Sequence, residues 1–291
     1  MAELQPQRAL MIQDKTTAWR NDPSPRALHV GILGIHGPEA TASLQALLDH
    51  GATITAWSSQ INTPWAQRLA RRGVSIQTLP AQHLPPEMST PFTRPLDWLL
   101  IFPSTRIAAG LPKPELIPEA LCPRDPGRIV QLIPAGLALH KTLEPSPQIL
   151  NLSTVLVLER WLNAPMRRAI GRGQLPFPRH RHNALPLISA HRIAQVILAL
   201  CAAKLSPQQA TTHLAGEWVP LPVLLDLCRE RVGRPIRLRN RSVALVALRM
   251  GRELALMAHW IRHYQPYEVS EREFDALSLE PVLEGMRRLP W

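Results

Sequence analysis

The sequence predicts an α/β fold: a doubly wound parallel sheet followed by a smaller, mainly helical C-terminal lobe. Three observations predict it. From residue 27 to about 133, short apolar runs of strand length alternate with segments of helical periodicity. Glycines punctuate that stretch where strands end and helices stop. Beyond residue 160 the periodic segments are mostly helical in spacing. Alternation of this kind reads as βαβ units, whose crossover helices make neighbouring strands parallel. The expected organisation is a polar arm over 1–26, a sheet core over 27–160 and the lobe over 161–291, with strand and helix returns from the lobe to the core sheet.

The arm closes with Asp22-Pro23-Ser24-Pro25 and contains no apolar run of signal-peptide type. Ala27 to Gly34 is apolar and ends in glycine, as a buried parallel strand does. Thr41 to His50 carries Leu44, Leu47 and Leu48 at helical spacing, and Gly51 suits the left-handed residue that ends a helix. Ala52 to Trp57 is a second strand. Pro64 to Arg72 is a short helix stopped by Gly73, and Val74 to Gln77 is a third strand. Residues 79–95 form a Pro-rich loop. Asp97 to Phe102 and Arg128 to Ile133 are the fourth and fifth strands.

In the second half, Ile149 to Leu158 is apolar and fits either strand or helix. Trp161 to Ile170 reads as a helix. A loop follows with Pro176, Pro178 and the basic run Arg179-His180-Arg181-His182. His191 to Ala203 is helical, with Ile193, Val196, Ile197 and Leu200 on one face. Leu221 to Val232 is another helix, ended by Gly233. Residues 242–262 read as a long helix with Val243, Val246, Met250, Leu254, Met257 and Ile261 in register.

The turn after the first strand carries the chemistry. By letter, Gly31, Gly34 and Gly37 give a GxxGxxG spacing. The frame Gly34-Ile35-His36-Gly37-Pro38-Glu39-Ala40 fits better. It starts just past the strand and places a small residue in the first helical turn. A Rossmann dinucleotide site asks for a tight turn, close backbone approach to the pyrophosphate, and close packing of helix on strand. Two residues oppose a bound pyrophosphate. Glu39 is a carboxylate at the loop-to-helix step, repulsive unless it points outward, and Pro38 removes an N–H donor. At the end of the second strand, where NAD sites carry an acid and NADP sites an Arg, the chain has Trp57-Ser58-Ser59-Gln60. NAD and NADP both remain open, as does a turn kept only for packing. The expected cofactor contacts are Gly34, Ile35, His36, Gly37, Ala40, Ser58, Ser59 and Pro103.

Composition sets outer bounds. The chain has 291 residues, 45% apolar and 19% charged, a globular balance with room for a core and a satellite lobe. Its net charge is +11, and 29 of its 33 basic side chains are arginine; the four lysines are Lys15, Lys113, Lys141 and Lys204. That arginine is spread through the chain without a nucleic-acid motif, so nucleic acid is not the expected partner. Cys122, Cys201 and Cys228 are far apart and form no metal spacing, which suggests buried thiols in a reduced, cytoplasmic setting. His180 and His182 lack a third ligand at zinc spacing, so no metal is assigned. No run reaches the roughly 18 apolar residues that a membrane span needs.

The turn Gly34 to Ala40 with Leu47-Leu48-Asp49-His50-Gly51, the stretch Leu185 to Val196, the run Thr212 to Gly216 and the segment Leu221 to Pro235 together resemble the extended and atypical short-chain dehydrogenase/reductases, most of all their NmrA-like branch. The resemblance covers about residues 27–285. It implies a nicotinamide-binding core and a C-terminal lobe closing over a small-molecule substrate. Family reductases use a Tyr-x-x-x-Lys pair, in which the lysine lowers the pKa of a phenol that is otherwise near 10. This chain has only Tyr264 and Tyr267, outside the helix that carries the pair, and Pro145 and Pro147 leave that helix no room. His140 and Lys141 are the remaining candidates for proton transfer. Arg167, Arg168 and Arg179 border the implied substrate cleft and suit an anionic ligand.

Two functions from different classes follow. One is an NAD(P)-dependent reductase or epimerase-like enzyme with non-standard catalysis on a small, anionic substrate. The other is a non-catalytic pseudoenzyme, a dinucleotide sensor or scaffold that binds a protein partner, with homo-oligomerisation compatible with either. Trp161, Trp218, Trp260 and Trp291 read as packing residues, and Met250 to Met257 as core or a dimer face.

Overall fold

The computed structural model describes residues 27–58, 61–78, 95–102, 128–133, 149–178, 184–202, 211–214 and 216–241, with residues 257, 259, 261, 282, 284 and 287. The expected N-terminal arm, the 79–94 part of the expected Pro-rich loop and most of the expected 242–262 helix lie outside them. Of that helix, Met257, His259 and Ile261 are helical, and Met257 and Ile261 are buried.

The chain begins with β1 (His29–Leu33), buried along its whole length, and α1 (Pro38–Asp49). The helix starts three residues before the position that periodicity marks, because the fixed φ of Pro38 suits the first helical position. β2 (Thr53–Ser58), α2 (Pro64–Arg71), β3 (Ser75–Thr78), β4 (Trp98–Ile101) and β5 (Ile129–Ile133) follow. The ambiguous apolar run resolves into β6 (Ile149–Thr154), the two-residue β7 (Leu156–Val157) and a helical turn, α3 (Leu158–Trp161). Then come α4 (Ala164–Gly171), β8 (Gln174–Pro178), β9 (Ala184–Ile188), α5 (Ala190–Cys201), β10 (Thr211–Leu214), β11 (Glu217–Pro220), α6 (Leu221–Val232) and β12 (Arg237–Arg241).

Seven strands form one parallel sheet in the order β10-β6-β5-β4-β1-β2-β3. The fold is therefore Rossmann-like α/β, as the alternation predicts. Its central strands read as continuous apolar runs because helices cover the sheet, and α1 packs against α5. The direction of winding reverses at β1, which has β2 on one side and β4 on the other. Open α/β sheets bind ligands at such a switch point, outside the carboxyl ends of the strands.

The prolines of 174–178 suggest a loop, yet this segment is β8, paired in parallel with β12. Proline supplies no ladder donor, so it is tolerated only where one strand edge is unpaired. A two-stranded ribbon meets that condition. β9 lies between β11, antiparallel to it, and β7, parallel to it. Gly233 ends α6 in the left-handed conformation (φ 67°), as its position after the periodic run requires. Among the described residues no helix is long and apolar enough to cross a membrane.

Candidate functional site

The turn between β1 and α1 sits at the switch point, and its geometry selects between the two glycine frames. Gly31 lies within β1, where an added Cβ would press on Leu96 and Trp57. Gly34 follows the strand with φ +83°, a conformation that L side chains rarely adopt. A Cβ there would also collide with the carbonyl oxygen of Phe102, whose own N–H donates to Leu33 O at 2.9 Å. Gly37 is the residue before the helix, and Ala40 is fully buried in its first turn. The frame Gly34, Gly37, Ala40 is the one the backbone uses.

No side chain caps the N-terminus of α1. The ladder of the helix begins with Thr41 N–H donating to Gly37 O at 3.0 Å. Pro38 has no N–H, so the N–H groups of Glu39 and Ala40 are those that the helix itself does not use. α2, α4 and α5 are capped by Thr63, Asn163 and Ser189, whereas α3 and α6, like α1, start without a side-chain cap. Uncapped N–H groups and the positive end of the helix dipole suit an anion.

Glu39 does not point outward. It is fully buried, and its carboxylate accepts a hydrogen bond from Nε of Arg160, itself buried on α3. Glu39 Oε2 has no hydrogen-bond partner among the described residues. A Cβ on Gly37 would lie 2.8 Å from both that oxygen and Nη2 of Arg160. The second glycine of the turn thus rests directly on the ion pair. Glu159, beside Arg160, accepts the Ala190 N–H at the start of α5 (2.9 Å). Burial pushes the Glu159 carboxyl up to about 7, helped by the nearby Glu39 carboxylate and opposed by the Ala190 N–H. Two acids and a guanidinium from α1 and α3 therefore sit beneath the turn. The repulsion expected of Glu39 is met by a neutralising partner 121 residues away in sequence.

At the other end of the turn, Nε2 of His36 lies 2.6 Å from Oγ of Ser58, the buried last residue of β2. The His36 ring packs on Trp65 of α2, with centroids 5.3 Å apart and planes at 43°. Burial pushes the His36 imidazole below its ordinary value, which favours the neutral ring. Ser58 and His36 thus occupy the place where Rossmann sites meet the adenosine ribose.

The structure brings together Gly34, Ile35, His36, Gly37, Ala40 and Ser58 of the expected cofactor set. Ile35 is fully buried. Ser59, Pro103, His140, Lys141 and Arg179 lie outside the described residues. Arg167 and Arg168 lie on α4; Nε of Arg167 donates to Leu162 O at 2.6 Å, and Arg168 is exposed. Trp161 is core, whereas Trp218 is 42% exposed, because it alternates with the buried Val219 on β11, which borders solvent. Cys201 and Cys228 are buried and their thiols are pushed up to about 12 by burial, so neither is a ready nucleophile. Sequence reasoning missed Arg160 and Glu159. Only their place between the apolar run that ends at Leu158 and the apolar pair Trp161-Leu162 hinted that these charges are buried.

No family model and no curated protein matches the sequence. Solved structures do match its fold. A nucleoside-diphosphate-sugar epimerase from Staphylococcus aureus superposes with a TM-score of 0.59 at 15% identity, over 87% of this chain and 97% of that one. Triphenylmethane reductase of Citrobacter sp., complexed with NADP(H), gives 0.61 at 14% identity, over 90% and 99%. NmrA, a negative transcriptional regulator in complex with NADP, gives 0.58 at 15% identity, over 91% of each chain. The chain shares their fold across nearly its whole length.

Proposed function

We propose that this chain binds a nicotinamide dinucleotide, NADP or NAD, at the turn between β1 and α1. The observation that carries the proposal is the turn itself. Gly34 is held at positive φ against Phe102, Gly37 has no side chain, and no side chain caps α1, all at the switch point of the sheet. The backbone N–H groups of Glu39 and Ala40 would hold the pyrophosphate, and His36 and Ser58 the adenosine ribose. A bound nicotinamide supplies hydride transfer. Residues 27–160 form the cofactor-binding part in this reading, and 161–291, with Arg167, Arg168 and Arg179, the part that meets a small anionic substrate. Two of the fold neighbours are held with NADP, which supports the ligand class.

The chain's own residues favour ligand binding over the tyrosine-dependent chemistry of the family it resembles. Its two tyrosines are Tyr264 and Tyr267, far in sequence from the strand ends that surround the turn. A sensor or scaffold engaging a protein partner is therefore the preferred form of the proposal. The enzyme form rests on His140 and Lys141. Titration with NADPH and NADH tests the proposal: the expected result is enhanced, blue-shifted nicotinamide fluorescence, abolished by Gly37→Val. Absence of binding at millimolar cofactor would overturn it. Turnover of a carbonyl substrate would decide for the enzyme form, and Lys141→Ala should then abolish it; cofactor binding without turnover is the outcome expected of the sensor or scaffold.

A further inference from the structure

We propose that the C-terminal third carries a nucleic-acid-binding surface, an exposed line of arginines across α4, α6 and β12 that engages the phosphates of a duplex without reading its sequence. Scattered arginine in the chain argued against such a partner; the fold gathers part of it. Residues 229–241 hold six Arg against one Glu. Arg237 N–H donates to Gly173 O at 2.9 Å, which sets the start of β12 beside Arg172 at the end of α4. Nη2 of Arg229 reaches Ile236 O at 3.4 Å, folding the end of α6 onto the same point. Arg168, Arg172, Arg231, Arg234, Arg237 and Arg239 are all exposed, and none of them has an ion-pair partner among the described residues. Asp226 is paired with Arg229 at 2.7 Å, which leaves Glu230 as the acid among them.

Fold stability does not account for this charge. Cations in a last helical turn complement the helix dipole, which explains Arg168, Arg229 and Arg231. A strand carries only a small dipole, yet β12 places Arg237 and Arg239 on one face, two residues and roughly 7 Å apart. Unpaired like charges repel, so the arrangement works against the compact state unless a polyanion meets it. The arginines extend along a helix end, a loop and a strand, which fits a chain of phosphates rather than one anion. Guanidinium groups hold phosphate oxygens two at a time. A lipid surface would want apolar residues on the same face. Leu238 is exposed, but strand alternation puts it opposite Arg237 and Arg239. Residues 229–241 contain no aromatic residue, which favours a duplex over a stacked single strand.

The test is fluorescence anisotropy of the full chain with a labelled duplex of arbitrary sequence, DNA or RNA, over a salt series. Binding should weaken linearly in log–log form with salt. The combined variant Arg172→Gln, Arg237→Gln, Arg239→Gln should bind at least tenfold more weakly at about 100 mM salt, with a slope smaller by roughly 2–3, at about 0.9 for each phosphate no longer neutralised. Arg68→Gln, Arg71→Gln on α2 removes exposed charge elsewhere and should change affinity less than twofold. If the triple variant melts early, Arg237→Gln, Arg239→Gln replaces it, with a slope smaller by roughly 2 on the same scale. Equal loss in the α2 variant, unchanged binding in the cluster variant, or binding to phosphatidylserine vesicles but not to the duplex would overturn the proposal. Nicotinamide fluorescence is unaffected in either variant, so failure here is distinct from failure of dinucleotide binding.

Discussion

The turn after β1 and the arginine line of β12 treat charge in opposite ways. At the turn, Glu39 and Arg160 are fully desolvated and joined to each other. At the C-terminal ends of α4 and α6, in the loop that follows α6 and on β12, six guanidinium groups stand in water with no ion-pair partner among the described residues. The physics differs accordingly. A buried ion must be paired, because removal from water costs several kcal/mol, and losing its partner leaves that penalty uncompensated. An exposed ion is already solvated and contributes little to folding. Charge at the turn is therefore structural, and charge on the C-terminal surface is free to serve a ligand. The buried pairing also explains how a turn with a carboxylate in it remains compatible with an anion: that carboxylate is committed to an internal partner.

The contrast breaks most readily at Arg160. Arg160→Met should destabilise the protein by about 3–5 kcal/mol, because it strands Glu39 in the core. Arg160→Met with Glu39→Leu should recover most of that. Urea denaturation measures both, and a loss below about 1 kcal/mol for the single variant would show that the pair is not what holds the turn. Next comes pH. Glu159 sits at about 7 when folded against an ordinary 4.5. The folded state therefore binds more protons between those values, so this group's contribution to stability is greatest below pH 4.5, falls as pH rises and finishes falling above about 7. At 1.36 kcal/mol per unit the change is at most about 3 kcal/mol from this group. Glu159→Gln should flatten that limb of a stability–pH curve, and a curve unchanged in the variant would remove Glu159 from the cluster's energetics.

Gly34→Ala should cost about 1–3 kcal/mol from its positive φ alone, with a further loss from the clash with Phe102 O. It should also weaken NADPH fluorescence enhancement, while Gly51→Ala, equally left-handed but with open space at its Cβ, strains only the backbone and leaves cofactor binding intact. The smallest effect belongs to the arginine line. Arg239→Ala should shift stability by no more than about 0.5 kcal/mol, and a larger change in thermal unfolding would mean that β12 depends on its charge.

Much of the frame was legible. β1, α2 and α6 follow from apolar spacing and a glycine or proline near their ends, and α5 from apolar spacing alone. The α1 boundary slipped by three residues because periodicity sees Leu44 and Leu47 but not the pre-set φ of Pro38. β8 was hidden because Pro176 and Pro178 forbid an interior strand, while an edge ribbon tolerates them. Half of the site was readable as well: Gly34, Gly37 and Ala40 report a backbone requirement, and such requirements are local. Arg160 was not readable as a partner of Glu39, because nothing local links residues 121 positions apart.

Local sequence thus decided where strands, helices and the glycine turn lie, because backbone conformation depends on neighbours within a few residues. The tertiary structure decided what the charges do. Whether Glu39 repels an anion, and whether an arginine is core or surface, depends on solvent exclusion and on partners brought from distant segments. Those exist only once the sheet has formed.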